Sequence, residues 1–428
     1  MKPYPAYKES GIAWVDQIPS HWESKRMKFI ADLKSGDGIT SDSINSEGEY
    51  PVYGGNGLRG YTASYSHEGD YVLIGRQGAL CGNINYATGK FWASEHAVVA
   101  TLNENHAVYW FGELLRVMNL NQYSQAAAQP GLAVDVIKNL LIPCPPVEEQ
   151  QAIADYLDRK TAVIDSLIAK KERQIGLLQE QKTAVINHAV TKGLNPHAPL
   201  KNSGIPWLGQ IPSHWKEKRL KFLTTFVTSG SRGWAQYYSD EGALFIRVGN
   251  LSAQNGIKID LSDCQHVSPP KGSEGQRTQI SQNDVLIAIT GATIGSVGIV
   301  CDDLGEAYVN QHVALSRPIL NQVDPRWLGY CIFSEIGQTQ IEQLTTGGTK
   351  EGLGLDDIRN FIIPLPDLDE QRKNIAWLEN KISKINTATK STQREIELLR
   401  EYRTAVISAA VTGKIDVRQA PITHTVAG

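Results

Sequence analysis

Two stretches of the chain place an apolar residue at every seventh position, and this pattern predicts two long helices. The first follows Pro145 and Pro146, and its apolar stripe is Leu157, Ile164, Ile168, Ile175, Leu178 and Val185. In the second, the matching positions are Leu378, Ile385, Leu399 and Val406. Neither stretch has an internal proline, and both are rich in Glu, Lys, Gln, Arg and Ala, which favour helices. Gly193 and Gly413 stand where a glycine commonly ends a helix.

A seven-residue apolar repeat is typical of helices that wrap around each other. A helix of about 38 residues is roughly 57 Å long, and two such helices are expected to pack as a coiled coil. Two unrelated surface helices are the alternative interpretation.

The segments that precede these helices, residues 23–136 and 216–357, have a different pattern. Apart from 106–124 and 325–344, they lack helical periodicity and contain glycine-rich turns. Their β-branched runs predict strands at 71–75, 97–102, 243–249, 284–290 and 297–300. Residues 72–84 are weakly similar to 285–297, and 94–98 to 310–314. Each segment is therefore predicted to be a compact α/β domain on a twisted sheet, with recognition carried by exposed loops.

The chain is internally duplicated. Residues 11–29 and 204–222 share thirteen of 19 positions at an offset of 193. Residues 137–150 repeat at 358–371, and 173–191 at 394–412, both at an offset of 221. The second strand-rich segment is therefore 28 residues longer than the first. A duplicated chain is expected to fold with a pseudo-two-fold axis and to bind a ligand with two half-sites.

Composition indicates an ordinary globular protein. The 428 residues correspond to two or three domains, and 41% hydrophobic with 20% charged residues excludes wholesale disorder. The five cysteines form no CxxC pair, so neither a zinc site nor a disulfide framework is predicted. With no apolar run long enough for a membrane span and no signal-peptide core at the start, a soluble cytoplasmic protein is expected.

No familiar active-site motif is present. The chain has no Walker pattern, no G-x-S-x-G and no H-E-x-x-H. Gly291, Gly295 and Gly298 lie between strand-like runs and lack the dinucleotide-binding spacing. Asn195 and Pro196 are followed by His-Ala, so the Asn/Asp-Pro-Pro-Tyr/Phe motif of amino-methyltransferases is missing.

The repeated histidines are interpreted as structural. His21 and His214 each lie in an Ile-Pro-Ser-His-Trp string, which indicates a packed turn with an aromatic anchor. His96 and His312 lie at matching places in the two strand-rich segments, where a polar core or loop contact is favoured over acid–base work.

The repeated strings resemble parts of a known family. GIPWLGQIPSHWKEKRLKF, residues 204–222, is similar to the stretch that opens each half of the specificity subunits of type I restriction–modification systems. IPLPDLDEQ and IPCPPVEEQQAIADYLDRKTAVIDSLI resemble the start of that family's spacer helices. TGATIG and YPVYGGNGLRGY, residues 50–61, are similar to pieces of its target-recognition domains. The resemblance covers nearly the whole chain in the same order of segments.

This resemblance implies a non-catalytic DNA reader. Each recognition domain would read one half of a bipartite double-stranded target, and the antiparallel coiled coil would fix the spacing between the halves. Two modification subunits would dock on this scaffold and methylate adenine with S-adenosylmethionine. Restriction subunits that use ATP and Mg would join them. No cofactor, metal or membrane contact is expected for this chain itself.

The expected architecture is α/β (α+β), with two target-recognition domains joined by two long antiparallel helices and related by pseudo-two-fold symmetry. The predicted boundaries are 1–140 and 196–361 for the recognition domains, 141–195 and 362–418 for the spacer helices, and 419–428 for a tail.

Loop residues that can read base edges are the candidate DNA contacts. They are Asn56, Arg59, Arg76 and Gln77 in the first domain and Arg232, Arg247, Asn250, Thr290, Thr293 and Lys350 in the second. Four tryptophans of the repeated strings are candidates for packing on the helices or docking a partner subunit, namely Trp14, Trp22, Trp207 and Trp215. The family cannot assign the base contacts individually, because its recognition domains diverge with their targets.

Charge weakens the case for tight DNA binding by the chain alone. The net charge is −3. Residues 23–140 hold 9 basic against 12 acidic residues, and residues 216–361 hold 13 against 16. Phosphate neutralisation supplies much of the affinity of DNA-binding proteins, so the methyltransferase partners would supply much of the backbone contact. Two alternatives remain open: a coiled-coil adaptor without sequence-specific reading, and a self-contained DNA methyltransferase.

Overall fold

The computed structural model describes residues 2–78, 80–103, 105–124, 131–252, 256–268, 273–345 and 352–418. The chain divides into two compact units. Unit 1 comprises Met1–Glu172 and Gln393–Gly428, and unit 2 comprises Arg173–Thr392. Each unit therefore combines one strand-rich segment with the start of one long helix and the end of the other.

Unit 1 contains two two-stranded sheets and two four-stranded sheets. Its strands are β1 (Tyr7–Ile12), β2 (Val15–Pro19), β3 (Glu23–Arg26), β4 (Ala31–Ser35), β5 (Tyr50–Gly54), β6 (Gly57–Thr62), β7 (His67–Glu68), β8 (Tyr71–Gly75), β9 (Ile84–Ala87), β10 (Lys90–Ala93), β11 (Ala97–Leu102) and β12 (Leu141–Cys144). Strand β1 pairs with β2, and β3 with β12. The sheet of order β4–β11–β8–β9 is antiparallel. The sheet of order β6–β5–β10–β7 has one parallel pair, β5 with β10.

The helices of unit 1 cover the antiparallel sheet and begin the first spacer helix. They are α1 (Val108–Met118), α2 (Val134–Ile137) and the first part of α3 (Val147–Lys192). On α1, Trp110, Phe111, Leu114 and Leu115 are fully buried, and this spacing forms one apolar face. That face belongs to a core which also includes Val72 and Ile84 of the sheet.

Unit 2 repeats this arrangement. Its strands are β13 (Leu200–Asn202), β14 (Gln210–Pro212), β15 (Lys216–Arg219), β16 (Thr224–Ser229), β17 (Tyr238–Ser239), β18 (Ala243–Ile246), β19 (Gln265–Val267), β20 (Val285–Ala288), β21 (Val297–Ile299), β22 (Ala307–Val309), β23 (Val313–Pro318) and β24 (Ile362–Leu365). Strand β13 pairs with β14, and β15 with β24. The sheet of order β16–β23–β20–β21 is antiparallel, and that of order β17–β19–β18–β22 again has one parallel pair, β18 with β22.

The helices of unit 2 are α4 (Ser273–Thr278), α5 (Pro325–Phe333), α6 (Glu335–Thr345), α7 (Leu355–Arg359) and the first part of α8 (Leu368–Val411). The helical stretch predicted at 325–344 is thus two helices separated by Ser334. Strands begin within one residue of each predicted start, although those predicted at 243–249 and 284–290 end two or three residues early, where the chain turns.

The two spacer helices are longer than the apolar repeat predicts. Helix α3 has 46 residues and α8 has 44, which correspond to about 69 and 66 Å. The first turns of each helix precede the seven-residue apolar repeat, so the repeat underestimates the length of the helix. Gly193 and Gly413 follow the helix ends in the left-handed region, with φ of 68° and 75°, as expected for glycine at this position.

The expected antiparallel packing of the two helices is confirmed. In unit 1, Arg403 contacts Asp165 and Arg400 contacts Glu172, each at 2.8 Å. From the first of these pairs to the second, the residue number rises on α3 and falls on α8, so the two helices run in opposite directions. Leu157 and Ile164 of the predicted stripe are buried. None of the helices in the described ranges is both long and apolar enough to cross a membrane.

Candidate nucleic-acid interface

Each recognition domain is fixed to its spacer helix by a Glu-Gln pair in the first helical turn. In unit 1, Glu149 Oε2 lies 2.8 Å from His21 Nε2, and the Glu149 side chain is 5% exposed. Gln150 is fully buried. Its Oε1 accepts from the Ala107 amide at 3.3 Å, directly before α1, and its Nε2 donates to the Pro145 carbonyl at 2.9 Å.

Unit 2 has the same connection. Glu370 Oε2 lies 2.8 Å from His214 Nε2. Gln371 is fully buried, and its Oε1 accepts from the Asp324 amide at 2.8 Å, at the start of α5. Its Nε2 donates to the carbonyls of Pro366 and Gln322 at 3.0 and 3.2 Å. The repeated His and Glu-Gln positions therefore set the angle at which each helix leaves its domain, and His21 and His214 have the structural role that the sequence predicts.

Two of the four candidate tryptophans are internal. Trp22 and Trp215 are 0% and 1% exposed, so they pack inside their own units and do not form a docking surface. Trp22 belongs to a core with Val406 and Ile407 of α8, and Trp215 Nε1 donates to Glu370 Oε1 at 3.1 Å. Trp14 and Trp207 are half-buried against the same cores.

In unit 1, three turns with candidate DNA contacts meet at one edge. The hairpin turn between β5 and β6 contains the exposed Asn56, whose Oδ1 accepts from Asn83 Nδ2 at 3.4 Å. A Cβ on Gly55 would lie 3.0 Å from the carbonyl oxygen of His96 and 3.5 Å from that of Gln77. The hairpin therefore packs against both the loop after β8 and the turn before β11. We call this edge the polar edge of unit 1.

The other candidates of this unit lie on the same edge. Arg59 is exposed on β6, and its side chain runs beside Gly54, where a Cβ would lie 2.5 Å from Arg59 Cδ. Arg76 is half-buried and Gln77 is exposed. The Arg76 amide donates to the His96 carbonyl at 2.9 Å. All four candidates are thus brought together.

Unit 2 has a corresponding polar edge around residues 310–312. The Asn310 amide donates to Ile246 O at 3.0 Å, and Ser231 is bridged to Asn310. Thr290 Oγ1 and His312 Nδ1 lie 2.5 Å apart. Arg232 follows Ser231 in the sequence, and Arg247 follows Ile246. Thr293 lies at the exposed tip of the loop after β20. Arg232 is exposed, whereas Arg247 and Thr290 are half-buried.

One candidate of unit 2 is not at this surface. Asn250 is 4% exposed. Its Oδ1 accepts from the Arg247 amide at 2.8 Å, and its Nδ2 donates to the carbonyls of Asp260 and Asp263 at 2.9 and 3.2 Å. Its amide is thus committed to holding a loop, which corrects the expectation that it faces bases. Lys350 lies outside the described residues.

The two edges are equivalent in backbone as well as in position. Gln77 is bridged to Gly131, and Thr290 to Gly352. Gly82 donates to the Gly75 carbonyl at 2.7 Å, and Gly295 to that of Ala288 at 2.9 Å. The weak similarity between residues 72–84 and 285–297 therefore reflects the same loop, with Gln77 and Thr290 at the same place.

The loop of unit 2 emerges from a rigid strand. Just before β20, Asp284 is fully buried, and both of its carboxylate oxygens accept from Arg317 of β23 at 2.7 Å. Hydrogen bonding to Asp284 raises the pKa of Arg317 above its ordinary value. A charge-assisted pair of this geometry restricts both side chains.

Sequence reasoning missed two residues of the polar edges. Glu95 and Gln311 precede His96 and His312 in the turns before β11 and β23, and both are half-buried. The similarity between 94–98 and 310–314 marked these turns. It drew attention to the shared histidines, although the residues directly before them, Glu95 and Gln311, differ between the halves.

Comparisons with known proteins agree with this arrangement. The family model described as the type I restriction modification DNA specificity domain matches residues 19–176 and 236–398, well over half of the chain. The chain is 38% identical to the EcoprrI specificity subunit of Escherichia coli over 171 residues, 39% of this chain and 42% of that protein. It is 24% identical to the EcoBI specificity subunit of Escherichia coli, covering 95% of this chain and 89% of the relative. It is also 24% identical to the MjaVIII specificity subunit of Methanocaldococcus jannaschii, at 96% and 97% coverage.

Solved structures share the fold. A chain from a study of complex assembly and conformational transition of the type I R-M system matches with a TM-score of 0.71 at 17% identity, covering 93% of this chain and 99% of that one. The HsdS subunit from Thermoanaerobacter tengcongensis matches with a TM-score of 0.55 at 17% identity, covering 93% and 98%. With two family-model matches, one in each half, the chain belongs to the type I restriction–modification DNA specificity family.

Proposed function

We propose that this chain is the non-catalytic, sequence-reading subunit of a type I restriction–modification complex, and that each unit reads one half of a bipartite DNA target. The observation that carries the proposal is the repeated polar edge. Each unit presents an equivalent loop and an equivalent turn on an antiparallel sheet of the same strand order, with different side chains at equivalent positions such as Gln77 and Thr290. Two readers on one scaffold fit a target with two unlike halves.

The side chains on these edges have the chemistry for reading bases in the major groove. Arginine pairs with guanine, asparagine and glutamine pair with adenine, and threonine contacts several bases. Unit 1 would use Asn56, Arg59, Arg76 and Gln77. Unit 2 would use Arg232, Arg247, Thr290 and Thr293, together with Lys350 beyond the described residues. Asn250 would stabilise the loop that follows Arg247.

The scaffold would dock the rest of the complex. The exposed faces of α3 and α8 and the half-buried Trp14 and Trp207 are the surfaces for two methyltransferase subunits, which would bring S-adenosylmethionine. Restriction subunits would bring ATP and Mg. Since the recognition segments carry more acidic than basic residues, these partners would supply most of the phosphate contacts, and this chain would supply base contacts.

The test is to co-express the chain with its cognate methyltransferase and map modified adenines across the host genome. The expected result is a bipartite motif, with two short blocks separated by a fixed number of unspecified bases. Arg232→Gln should relax one block only, while Arg219→Gln, a change of an exposed residue on β15 of the same unit, should leave both blocks intact. A stable complex without any motif would refute the proposal and favour a coiled-coil adaptor. Retention of S-adenosylmethionine by the isolated chain would instead favour a self-contained methyltransferase.

A further inference from the structure

The turns that lead into β11 and β23 occupy the same place in the two units. Residues 94–97 are closed by a hydrogen bond from the Ala97 amide to the Ser94 carbonyl, at 2.9 Å. Residues 310–313 are closed in the same way, from Val313 to Asn310, at 3.1 Å. Each turn therefore holds its two middle residues on a fixed backbone. The turn lies directly before β11 or β23, which are inner strands of the two antiparallel sheets.

Both turns are held directly against the loop that carries other candidate DNA contacts. The His96 carbonyl accepts from the Arg76 amide at 2.9 Å, and the His312 carbonyl accepts from the Ile289 amide at 2.9 Å. A base that contacts Gln77 or Thr290 would therefore lie close to the residues of these turns as well.

Several buried polar atoms around these turns have no hydrogen-bond partner within the part of the chain that the structure describes. They are Asn85 Nδ2, Ser94 Oγ and Glu95 Oε2 in unit 1, and Ser231 Oγ and Arg247 Nε in unit 2. Ser94 is 0% exposed and Ser231 is 2% exposed. Buried polar groups in native proteins almost always have a partner. The Glu95 side chain is 42% exposed, so its carboxylate is within reach of a polar ligand at the polar edge.

We propose, resting on the proposed function, that Glu95 and Gln311 are specificity-determining residues that read a base in their respective half-sites. A carboxylate only accepts hydrogen bonds, so Glu95 would accept from the exocyclic amine of cytosine. An amide both donates and accepts, so Gln311 would make paired hydrogen bonds with adenine. The two turns share a backbone and carry residues of different hydrogen-bonding chemistry at this position, as reading different bases from the same position requires.

The neighbouring histidine orients each reader. In unit 2, His312 Nε2 lies 3.1 Å from Gln311 Nε2 and its Nδ1 lies 2.5 Å from Thr290 Oγ1. Because the amide nitrogen can only donate, Nε2 accepts and Nδ1 donates to the threonine oxygen. In unit 1, His96 Nε2 lies 3.2 Å from Glu95 Oε1. His312 is thus a positioning residue, which acts through Gln311.

The experiment maps modified adenines for the whole complex with Gln311→Glu and with Glu95→Gln. Each variant is nearly isosteric and exchanges the chemistry of the two positions. Gln311→Glu should change the preferred base at one position of the unit 2 half-site, and Glu95→Gln should do so in the unit 1 half-site. Discrimination at that position should change about 5- to 150-fold, the range for one good base contact. The other half-site serves as the internal control for folding and assembly.

Matched controls make the same changes away from the polar edges. Glu9→Gln on β1 and Gln210→Glu on β14 alter exposed residues of the same types, and both should leave the motif unchanged. His312→Phe should weaken discrimination at the positions read by Gln311 and Thr290, the two residues that His312 contacts, and at no other, which a general loss of stability would not do.

The outcomes separate this inference from the function on which it rests. If the unmodified chain gives no bipartite motif, the proposed function fails. If it gives a motif that Gln311→Glu and Glu95→Gln both leave unchanged, the proposed function stands and the inference is overturned. For a variant without detectable modification, the affinity of the complex is measured for the mapped site and for the same site with one base changed. The ratio of the two affinities is the discrimination ratio. A discrimination ratio that falls by at least about fivefold supports the inference, and a smaller fall overturns it.

Discussion

Replacing Gln371 with leucine should destabilise unit 2 by about 3 kcal/mol. This glutamine is fully buried in the first turn of α8, and it joins that helix to the start of α5. Leucine has a similar size and a high helix propensity. The change therefore removes three hydrogen bonds while keeping a side chain of similar volume and without weakening the helix.

The magnitude follows from the groups that lose their partners. The Asp324 amide loses an acceptor at 2.8 Å, and the carbonyls of Pro366 and Gln322 lose donors at 3.0 and 3.2 Å. An unsatisfied buried donor costs about 1–3 kcal/mol, and each lost hydrogen bond about 1 kcal/mol. Burial of the leucine side chain recovers about 1 kcal/mol. The remaining cost is about 2–4 kcal/mol.

The assay is equilibrium unfolding in urea, with Gln181→Leu as the control. Gln181 is an exposed glutamine of α3 in the same unit, so its replacement should change the free energy of unfolding by less than about 0.5 kcal/mol. If Gln371→Leu costs less than about 1 kcal/mol relative to this control, the hydrogen bonds are not what fixes the domain to its helix. A changed denaturant slope would mean that the variant altered the unfolding transition itself, and the comparison would then rest on hydrogen exchange of the Asp324 amide.

Three further predictions concern a glycine at a helix end, two buried tryptophans and a buried cysteine. Gly413→Ala should destabilise unit 1 by at least about 2 kcal/mol in thermal unfolding, since φ is 75° and a Cβ would lie 2.4 Å from Pro19 Cδ; a neutral effect would contradict the close approach. Trp215→Phe should cost more stability than Trp22→Phe, by about 1 kcal/mol, because only Trp215 donates a hydrogen bond to a carboxylate; equal costs in paired urea titrations would exclude that bond as the difference. Complete burial raises the pKa of Cys331 well above its ordinary value, so a thiol reagent at pH 8 should label the exposed Cys301 of the native chain and leave Cys331 unmodified in peptide mapping.

Much of the architecture could be predicted because it depends on periodicity and on glycine. The stripe through Leu157 and Ile164 is buried because a seven-residue repeat keeps one face of the helix on its partner. Gly193 and Gly413 end their helices in a conformation that glycine adopts without strain. Both signals are local, so they can be read directly from the sequence.

The polar edges were predicted less well because exposure depends on contacts distant in sequence. Asn250 resembles its loop neighbours in sequence, yet its amide binds carbonyls ten and thirteen residues later. Gln150 and Gln371 are polar residues in the first turn of a helix, and nothing local indicates that the start of another helix covers them. Only their repetition in both halves marked them, and repetition does not distinguish a structural contact from a binding one.

The duplication separates these two kinds of residue once the structure is known. His21 and His214, which the two halves share, each join a domain to its helix, and the shared His96 and His312 each contact the neighbouring residue of a polar edge. Where equivalent backbone carries different residues, as with Glu95 and Gln311, the side chain lies on a polar edge. A scaffold contact must be preserved for either unit to hold its helix at the same angle, whereas a base contact must differ if the two halves of the target differ. Specificity can therefore change at the polar edges without altering how either domain is fixed to its spacer helix.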